Sequence, residues 1–240
     1  MKIAIIGGGP AGLMAAEAAL AGGAQVALYD SMASVGRKFL LAGKGGLNLT
    51  HSDPPDLFLS RYGERRAQVA PWLAEFGADA IRTWARGLGV ETYVGSSGRV
   101  FPTDMKAAPL LRAWLRRLRQ AGMMIHVRHR WHGWDEKKAL CFETPQGTTS
   151  VRADAVILAC PAHASARMLK DMDSGLSGEL AGIRYASSAT MTMAFRRAQI
   201  RHPLDGFGYV VPVVEGRSMI AGTFGRIKFP GRAPDGLSLI

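Results

Sequence analysis

Residues 1–30 read MKIAIIGGGPAGLMAAEAALAGGAQVALYD, and this stretch decides the fold. Lys2 to Ile6 is a short apolar strand that runs directly into Gly7-Gly8-Gly9-Pro10-Ala11-Gly12. An Ala-rich helical segment follows, then a second apolar strand from Gln25 to Tyr29, closed by Asp30. Strand, G-x-G-x-x-G, helix, strand and acid in that order is the pattern of a dinucleotide-binding βαβ unit. Gly7 permits the tight turn, Gly9 lets the backbone approach a pyrophosphate, and Gly12 lets helix and strand pack closely. The free N–H groups at the helix start, opened by Pro10 and Ala11, receive the phosphates at the positive end of the helix dipole. Asp30 is placed to accept hydrogen bonds from the adenosine ribose hydroxyls and to repel a 2′-phosphate. An accidental glycine-rich turn would not bring all five parts into register.

Composition bounds the problem without solving it. The 240 residues suffice for one large domain or two small ones with a real core. A hydrophobic content of 48% and a mean hydropathy near zero are expected of a cytoplasmic globular protein. No apolar run reaches the ~18 residues that a membrane span needs. Lys2 and the apolar residues after it resemble a signal peptide, but Glu17 and the glycine turn interrupt that pattern, and a buried first strand explains it better. Cys141 and Cys160 have neither disulfide nor metal-ligand spacing, which favours a reducing compartment. The net charge of +11 raises the question of nucleic acid. Its densest stretch, Arg112, Arg116, Arg117 and Arg119, shares a helix with Leu111, Trp114, Leu115 and Leu118 at core spacing, so it reads as a solvated face. No nucleic-acid module is recognisable and none is expected as a partner. A basic surface speeds the approach of anionic ligands all the same.

Residues Ser31 to His51 are expected to form a long loop, containing GRKFLLAGKGGLNLTH. Its backbone N–H groups can line a flat ligand, and Arg37, Lys38 and Lys44 supply positive charge; a flexible surface loop is the alternative. It is not a P-loop, because no glycine stands five residues before Gly43 and Gly45 replaces the required Ser or Thr. Pro54 to Leu88 reads as helical, with Trp72, Leu73, Phe76, Ile81 and Trp84 expected in the core. Short strands are expected at Val90–Val94 and Arg99–Phe101, and a helix from about Lys106 to Gln120, ended by Gly122. Met123–Trp134, Ala139–Thr144 and Thr148–Arg152 read as an antiparallel meander, and Asp154–Ala159 as a returning strand buried on both faces. Strand alternation sets His129 opposite to His126 and His132, which argues against a three-histidine metal site. Helices are expected over 161–182, and strands at Arg184–Arg197, Gly206–Val214 and Arg217–Phe224. There are no internal repeats.

Two resemblances add to this reading. Residues 1 to about 159 resemble the HI0933-like family of FAD-dependent flavoproteins, also described as NAD(P)/FAD-dependent oxidoreductases. The matching stretches are GGGPAG, GRKFLLAGKGGLNLTHSDP, FLSRYG, GVETYVGSSGRVFPTDMKAAPLLRAW and DAVILA. Residues from about 154 to 236 look instead like FAD-dependent protoporphyrinogen oxidase and its amine-oxidase relatives, through ACPAHASARML, YASSATMTMAFRRA, HPLDGFGYVVP and KFPGRAPDG. A junction near Leu158 to Cys160 follows; a natural recombinant, an engineered chimera and a misassembled sequence would all read this way. Both resemblances imply a C-terminal strand and helix that return to the flavin, and Ile240 falls inside an expected substrate-domain strand.

The implied fold is α/β: a Rossmann-like, FAD-binding, doubly wound parallel sheet with a β-meander crossover, plus a partial α+β substrate domain. Residues 1–52 and 106–160 would form the FAD-binding domain, 53–105 a mainly helical insertion, and 161–240 the truncated substrate domain. The resemblance places the isoalloxazine near Gly43 to Thr50, with Gly43, Lys44, Gly45, Asn48 and Thr50 around it. Lys44 and nearby N–H groups would then stabilise the reduced anionic flavin and favour hydride acceptance at N5. Arg99 either lines the substrate side or makes a strand-end salt bridge. His163 heads a helix, where capping or packing competes with a role as base. No Ser/His/Asp, Cys/His or paired-carboxylate constellation is present, so a flavin would carry the chemistry. The expected function is hydride transfer from an organic substrate to FAD, reoxidised by oxygen or another acceptor, with NAD as an alternative electron donor. A non-catalytic dinucleotide-binding module and a basic nucleic-acid-associated flavoprotein are the competing readings. Neither substrate nor oligomeric state is written in the sequence.

Overall fold

The computed structural model describes residues 1–43 and 46–240. The chain divides into two compact units, Met1–Ile183 and Arg184–Ile240. The first opens with β1 (Lys2–Ile6), α1 (Pro10–Ala21) and β2 (Gln25–Asp30), followed by α2 (Arg37–Ala42), β3 (Thr50–His51) and α3 (Pro55–Ser60). Then come α4 (Arg66–Glu75), α5 (Ala78–Gly87), β4 (Thr92–Val94), β5 (Arg99–Pro102) and α6 (Ala107–Gln120). β6 (Met124–Val127), β7 (Arg130–Trp134), β8 (Leu140–Thr144), β9 (Gly147–Val151) and β10 (Ala155–Leu158) lead to α7 (Ala162–Leu169) and α8 (Ser174–Ala181).

The described central strands lie in the order β10-β1-β2-β6, all parallel. Strand alternation sorts the apolar residues of β1 and β2 onto two faces. Ile3, Ile5, Val26 and Leu28 join Leu13 and Ala16 of α1 and Leu111, Trp114 and Leu118 of α6 in one core. Ala4, Ile6 and Tyr29 face the other way and pack with Trp131, Leu140 and Phe142 of the antiparallel β7-β8-β9 meander. The meander therefore takes the layer that a crossover helix would occupy. Each of Ile5, Leu28, Trp114 and Phe142 is at most 2% exposed, and each such side chain contributes about 1.5–3 kcal/mol of burial free energy.

Several local expectations need correction. The stretch Met123–Trp134 is two strands, not one. Arg128 adopts φ 57°, and the chain turns there from the parallel sheet into the meander. Alternation fails across the bend, so the rings of His126 and His129 lie 5.3 Å apart instead of on opposite faces. Trp72 and Phe76 are 69% and 38% exposed, not core. Ala67, Val69, Ala70, Trp72 and Leu73 run round α4 instead of forming one stripe, so the pattern does not orient the helix. The loop after Asp30 contains α2, held by Phe39 edge-on to Trp114 at 6.4 Å. β10 is half-buried because it is an edge of the described sheet. Among the described residues, no helix is long and apolar enough to cross a membrane.

The second unit contains β11 (Ala194–Arg196), β12 (Gly208–Val210), β13 (Ala221–Thr223), α9 (Gly225–Lys228) and β14 (Leu237–Leu239). β11 pairs with β14 and β12 with β13, both antiparallel. The long strands expected at 184–197, 206–214 and 217–224 shrink to three residues each. Strand propensity becomes strand only where a neighbour takes up the backbone hydrogen bonds, and residues 184–192 have no ladder among the described residues.

Candidate functional site

The carboxyl ends of β10, β1 and β2 converge where the strand order reverses, with β10 on one side of β1 and β2 on the other. Open α/β sheets bind ligands in that crevice. Gly7 follows β1 with φ 112°, a conformation that favours glycine, and its N–H donates to Tyr29 O at 2.8 Å. A Cβ on Gly7 would meet Ala159 O at 2.6 Å. Gly12 packs directly on Gly7 O, with Ala159 Cβ 3.3 Å from an added Cβ. Gly7 and Gly12 are thus required by packing between α1, β1 and the end of β10. Gly9 differs: it is the N-cap of α1 in extended backbone, and a Cβ there meets nothing within 4 Å.

The amino end of α1 is left for something else to complete. Pro10 occupies N1, no side chain caps the helix, and no acidic residue lies in its first turn. The N–H groups of Ala11 and Gly12 belong to the first turn, which has no intrahelical acceptor, next to open space at Gly9. These features fit a diphosphate. Asp30, at the end of β2, is held from both sides: Oδ2 accepts from Gly8 N at 2.7 Å and Oδ1 from Met32 N at 2.8 Å. Gly36 N donates to Gly8 O at 2.8 Å, closing the segment after β2 onto the glycine loop. The carboxylate therefore stays oriented beside the loop before any ligand arrives.

Residues 1–175 match the family model described as HI0933-like protein Rossmann domain. The chain belongs to this HI0933-like Rossmann-domain family. The match runs past Leu158–Cys160, where the sequence reading set its boundary. A chloroplastic protoporphyrinogen oxidase of Oryza sativa subsp. japonica is 30% identical over 108 residues, covering 42% of this chain and 20% of that protein. A 3-dehydro-bile acid delta(4,6)-reductase of Clostridium scindens is 31% identical over 173 residues, covering 71% of this chain and 41% of that protein. The chain thus spans from a fifth to two fifths of these relatives. A 3-ketosteroid-delta4-(5alpha)-dehydrogenase structure from Rhodococcus jostii RHA1 shares the fold, at 16% identity and TM-score 0.51, over 70% of this chain and 47% of that one. Relatives and fold neighbour alike are oxidoreductases, and the family and fold support a flavin cofactor on a Rossmann-type FAD-binding domain.

The remaining residues singled out in the sequence of this HI0933-like chain fall into distinct places. Arg37 and Lys38 are exposed in the first turn of α2 and form no ion pair among the described residues. Gly43, at the end of α2, lies against Ala107 at the start of α6, with Ala107 N 3.2 Å from an added Cβ. Lys44 and Gly45 lie outside the described residues. The segment beyond them is tied to the hairpin: Leu47 N donates to Met105 O at 3.0 Å and Leu49 N to Val100 O at 2.9 Å. Leu47 and Thr50 are buried there, whereas Asn48 is exposed. Arg99 is exposed on β5 and makes no ion pair among the described residues, so the salt-bridge alternative is not realised. His163 lies exposed in the first turn of α7.

The sequence reading passed over three arrangements. Glu17 on α1 accepts from the indole N–H groups of Trp84 (3.1 Å) and Trp114 (2.6 Å) and pairs with Arg117 (2.6 Å). This ties α5 and α6 to the helix whose start forms the site. Beside Thr50, His51 Nε2 lies 3.0 Å from Ser97 O and its Nδ1 3.2 Å from Asp53 N, with Arg61 paired to Asp53. A ring donating from Nε2 and accepting at Nδ1 clamps the β4–β5 turn onto β3. Third, His126 stacks on Tyr29 at 4.8 Å, immediately before Asp30. Burial, and secondly the charge of His129, pushes the His126 pKa down; burial pushes the Tyr29 phenol up. The only sequence signal for these was a polar or charged residue inside an otherwise apolar pattern, such as Glu17 in the Ala-rich helix.

Proposed function

We propose that the chain is the FAD-binding part of an oxidoreductase in which a hydride passes between an organic substrate and the flavin. The observation that supports this most is the uncapped start of α1 opposite a pre-oriented Asp30, with open space at Gly9. The roles follow residue by residue. Gly7, Gly8 and Gly9 shape the loop, Pro10, Ala11 and Gly12 present the helix end to the diphosphate, and Asp30 accepts from the ribose. Arg37 and Lys38 offset phosphate charge across solvent. Gly43, Asn48 and Thr50 would lie toward the flavin ring. In this reading 1–52 with 106–160 is the FAD-binding domain, 53–105 a helical insertion and 161–240 part of a substrate domain. Bound FAD would supply a hydride acceptor at N5. Positive charge from Lys44 would favour the reduced anion.

The oxidase relative supports a substrate that gives up hydride, with oxygen or another acceptor closing the cycle. The bile acid reductase relative supports the reverse direction on an unsaturated carbonyl compound; NAD(P)H is our proposed donor for that direction. Two unpaired thiols, Cys141 and Cys160, support a reducing, cytoplasmic setting. The test is an absorbance spectrum of the purified protein before and after incubation with FAD and gel filtration, followed by anaerobic addition of NADH. Retained flavin bands that bleach support the reading. Retained bands that NADH does not bleach count against NAD(P)H as the donor, and a colourless protein refutes the site.

A further inference from the structure

The second unit contains a cavity of about 300 Å³ that the flavin reading does not use. Its walls include Leu204, Phe224 and Ile227, of which Leu204 and Phe224 are buried. Three polar side chains share the lining, and among the described residues none of them meets an acid. Ser238, central in the Leu237-Ser238-Leu239 strand, is 1% exposed, and its hydroxyl has no hydrogen-bond partner among the described residues. A hydroxyl taken out of water without a partner destabilises the fold, and each such group in a native structure calls for an explanation. Arg197 donates to the carbonyls of Ile200 (2.6 Å), His202 (3.1 Å) and Pro203 (3.0 Å). Those bonds fix the guanidinium but leave its charge without an anion. Arg226, exposed on α9, makes neither a hydrogen bond nor an ion pair among the described residues.

Two uncompensated cations and apolar walls select for a ligand that is negative at one end and apolar at the other. The volume is at the lower bound of small-molecule sites, which limits the apolar body to a single ring or a short branched chain. A bidentate guanidinium suits a carboxylate. We propose that this cavity binds a small monocarboxylate with a compact apolar body, its carboxylate on Arg226, with Arg197 adding charge. The site stands or falls independently of the flavin.

The full chain is titrated calorimetrically with phenylacetate and, separately, with phenylacetamide, which has the same shape without the charge. Phenylacetate is expected to saturate below about 10 mM, ordinary for a ligand of about ten heavy atoms. Phenylacetamide should bind at least about tenfold more weakly, as should phenylacetate to Arg226→Gln, with Arg226→Lys recovering part of the loss. Ser238→Ala should bind phenylacetate as the parent does, and melt at or above the parent without ligand, because it removes an unsatisfied buried hydroxyl. The proposal is overturned if phenylacetate does not saturate, if the amide binds equally well, or if Arg226→Gln leaves binding unchanged.

Discussion

Gly9 and Gly12 sit three residues apart in one motif, yet the structure gives them opposite reasons to be glycine. Replacing Gly9 by valine places a side chain in extended backbone, with no protein atom within 4 Å of the new Cβ. The cost to the empty protein is that of an apolar N-cap in place of glycine, about 0.5–1 kcal/mol. In a unit of this size that lowers Tm by roughly 1–4 °C. The same side chain occupies the space a diphosphate must enter, so FAD retention should be lost. Gly12→Ala reverses the pattern. Its Cβ would sit against Gly7 O and 3.3 Å from Ala159 Cβ, and the backbone of Gly7, tied to Tyr29 O at the end of a central strand, has little room to move away. Overpacking of this kind costs about 3 kcal/mol, or roughly 6–12 °C. Scanning calorimetry without cofactor, paired with flavin absorbance after gel filtration, separates the two effects. Full FAD occupancy in Gly9→Val refutes the placement of the site. A Gly9→Val protein as destabilised as Gly12→Ala refutes the division between approach and packing.

Three further outcomes are expected. Asp30→Asn should weaken FAD binding by about 1–1.5 kcal/mol, read by fluorescence titration, since a charge-assisted bond becomes a neutral one; unchanged affinity would remove Asp30 from the site. Glu17→Ala strands two indole N–H groups and Arg117, and should lower the unfolding free energy by about 3 kcal/mol. Arg117→Met added to it should recover part of that in a double-mutant cycle, and simple additivity would deny the coupling. His126 has its folded-state pKa pushed below the ordinary 6.5, so the neutral ring is the one the fold favours. Stability from this group is complete above about pH 6.5 and falls as pH drops from there toward the lowered folded value. His126→Phe keeps the stack on Tyr29 and should flatten Tm between about pH 7 and 5; an unchanged slope would place the acid sensitivity elsewhere.

The Gly7–Gly12 loop, α1, α6 and the returning β10 were legible because each carries its own local signal: a glycine spacing, a 3.6-residue apolar stripe, a short apolar run opened by an acid. Trp72 was misplaced because α4 has apolar residues all round, and hydrophobicity without direction does not say which side faces a core. The turn at Arg128 was invisible because a non-glycine residue at positive φ leaves no mark in composition, and it alone brings His126 beside His129. Candidate cofactor residues were named from spacing. What each does locally was not: Gly43 lies against Ala107, and Asp30 also holds the loop through Gly8 N and Met32 N.

By itself, then, the sequence determined a dinucleotide-binding βαβ start, a parallel sheet closed by a meander, and the reaction class its family supports. Those properties are local or periodic, and local patterns survive without coordinates. Only the tertiary structure decided that Glu17 gathers two tryptophans and an arginine from residues 67 to 100 positions away, and that Ser238 is buried without a partner beside Arg197 and Arg226. Such clusters arise from distant segments meeting in space, and no window along the chain contains them.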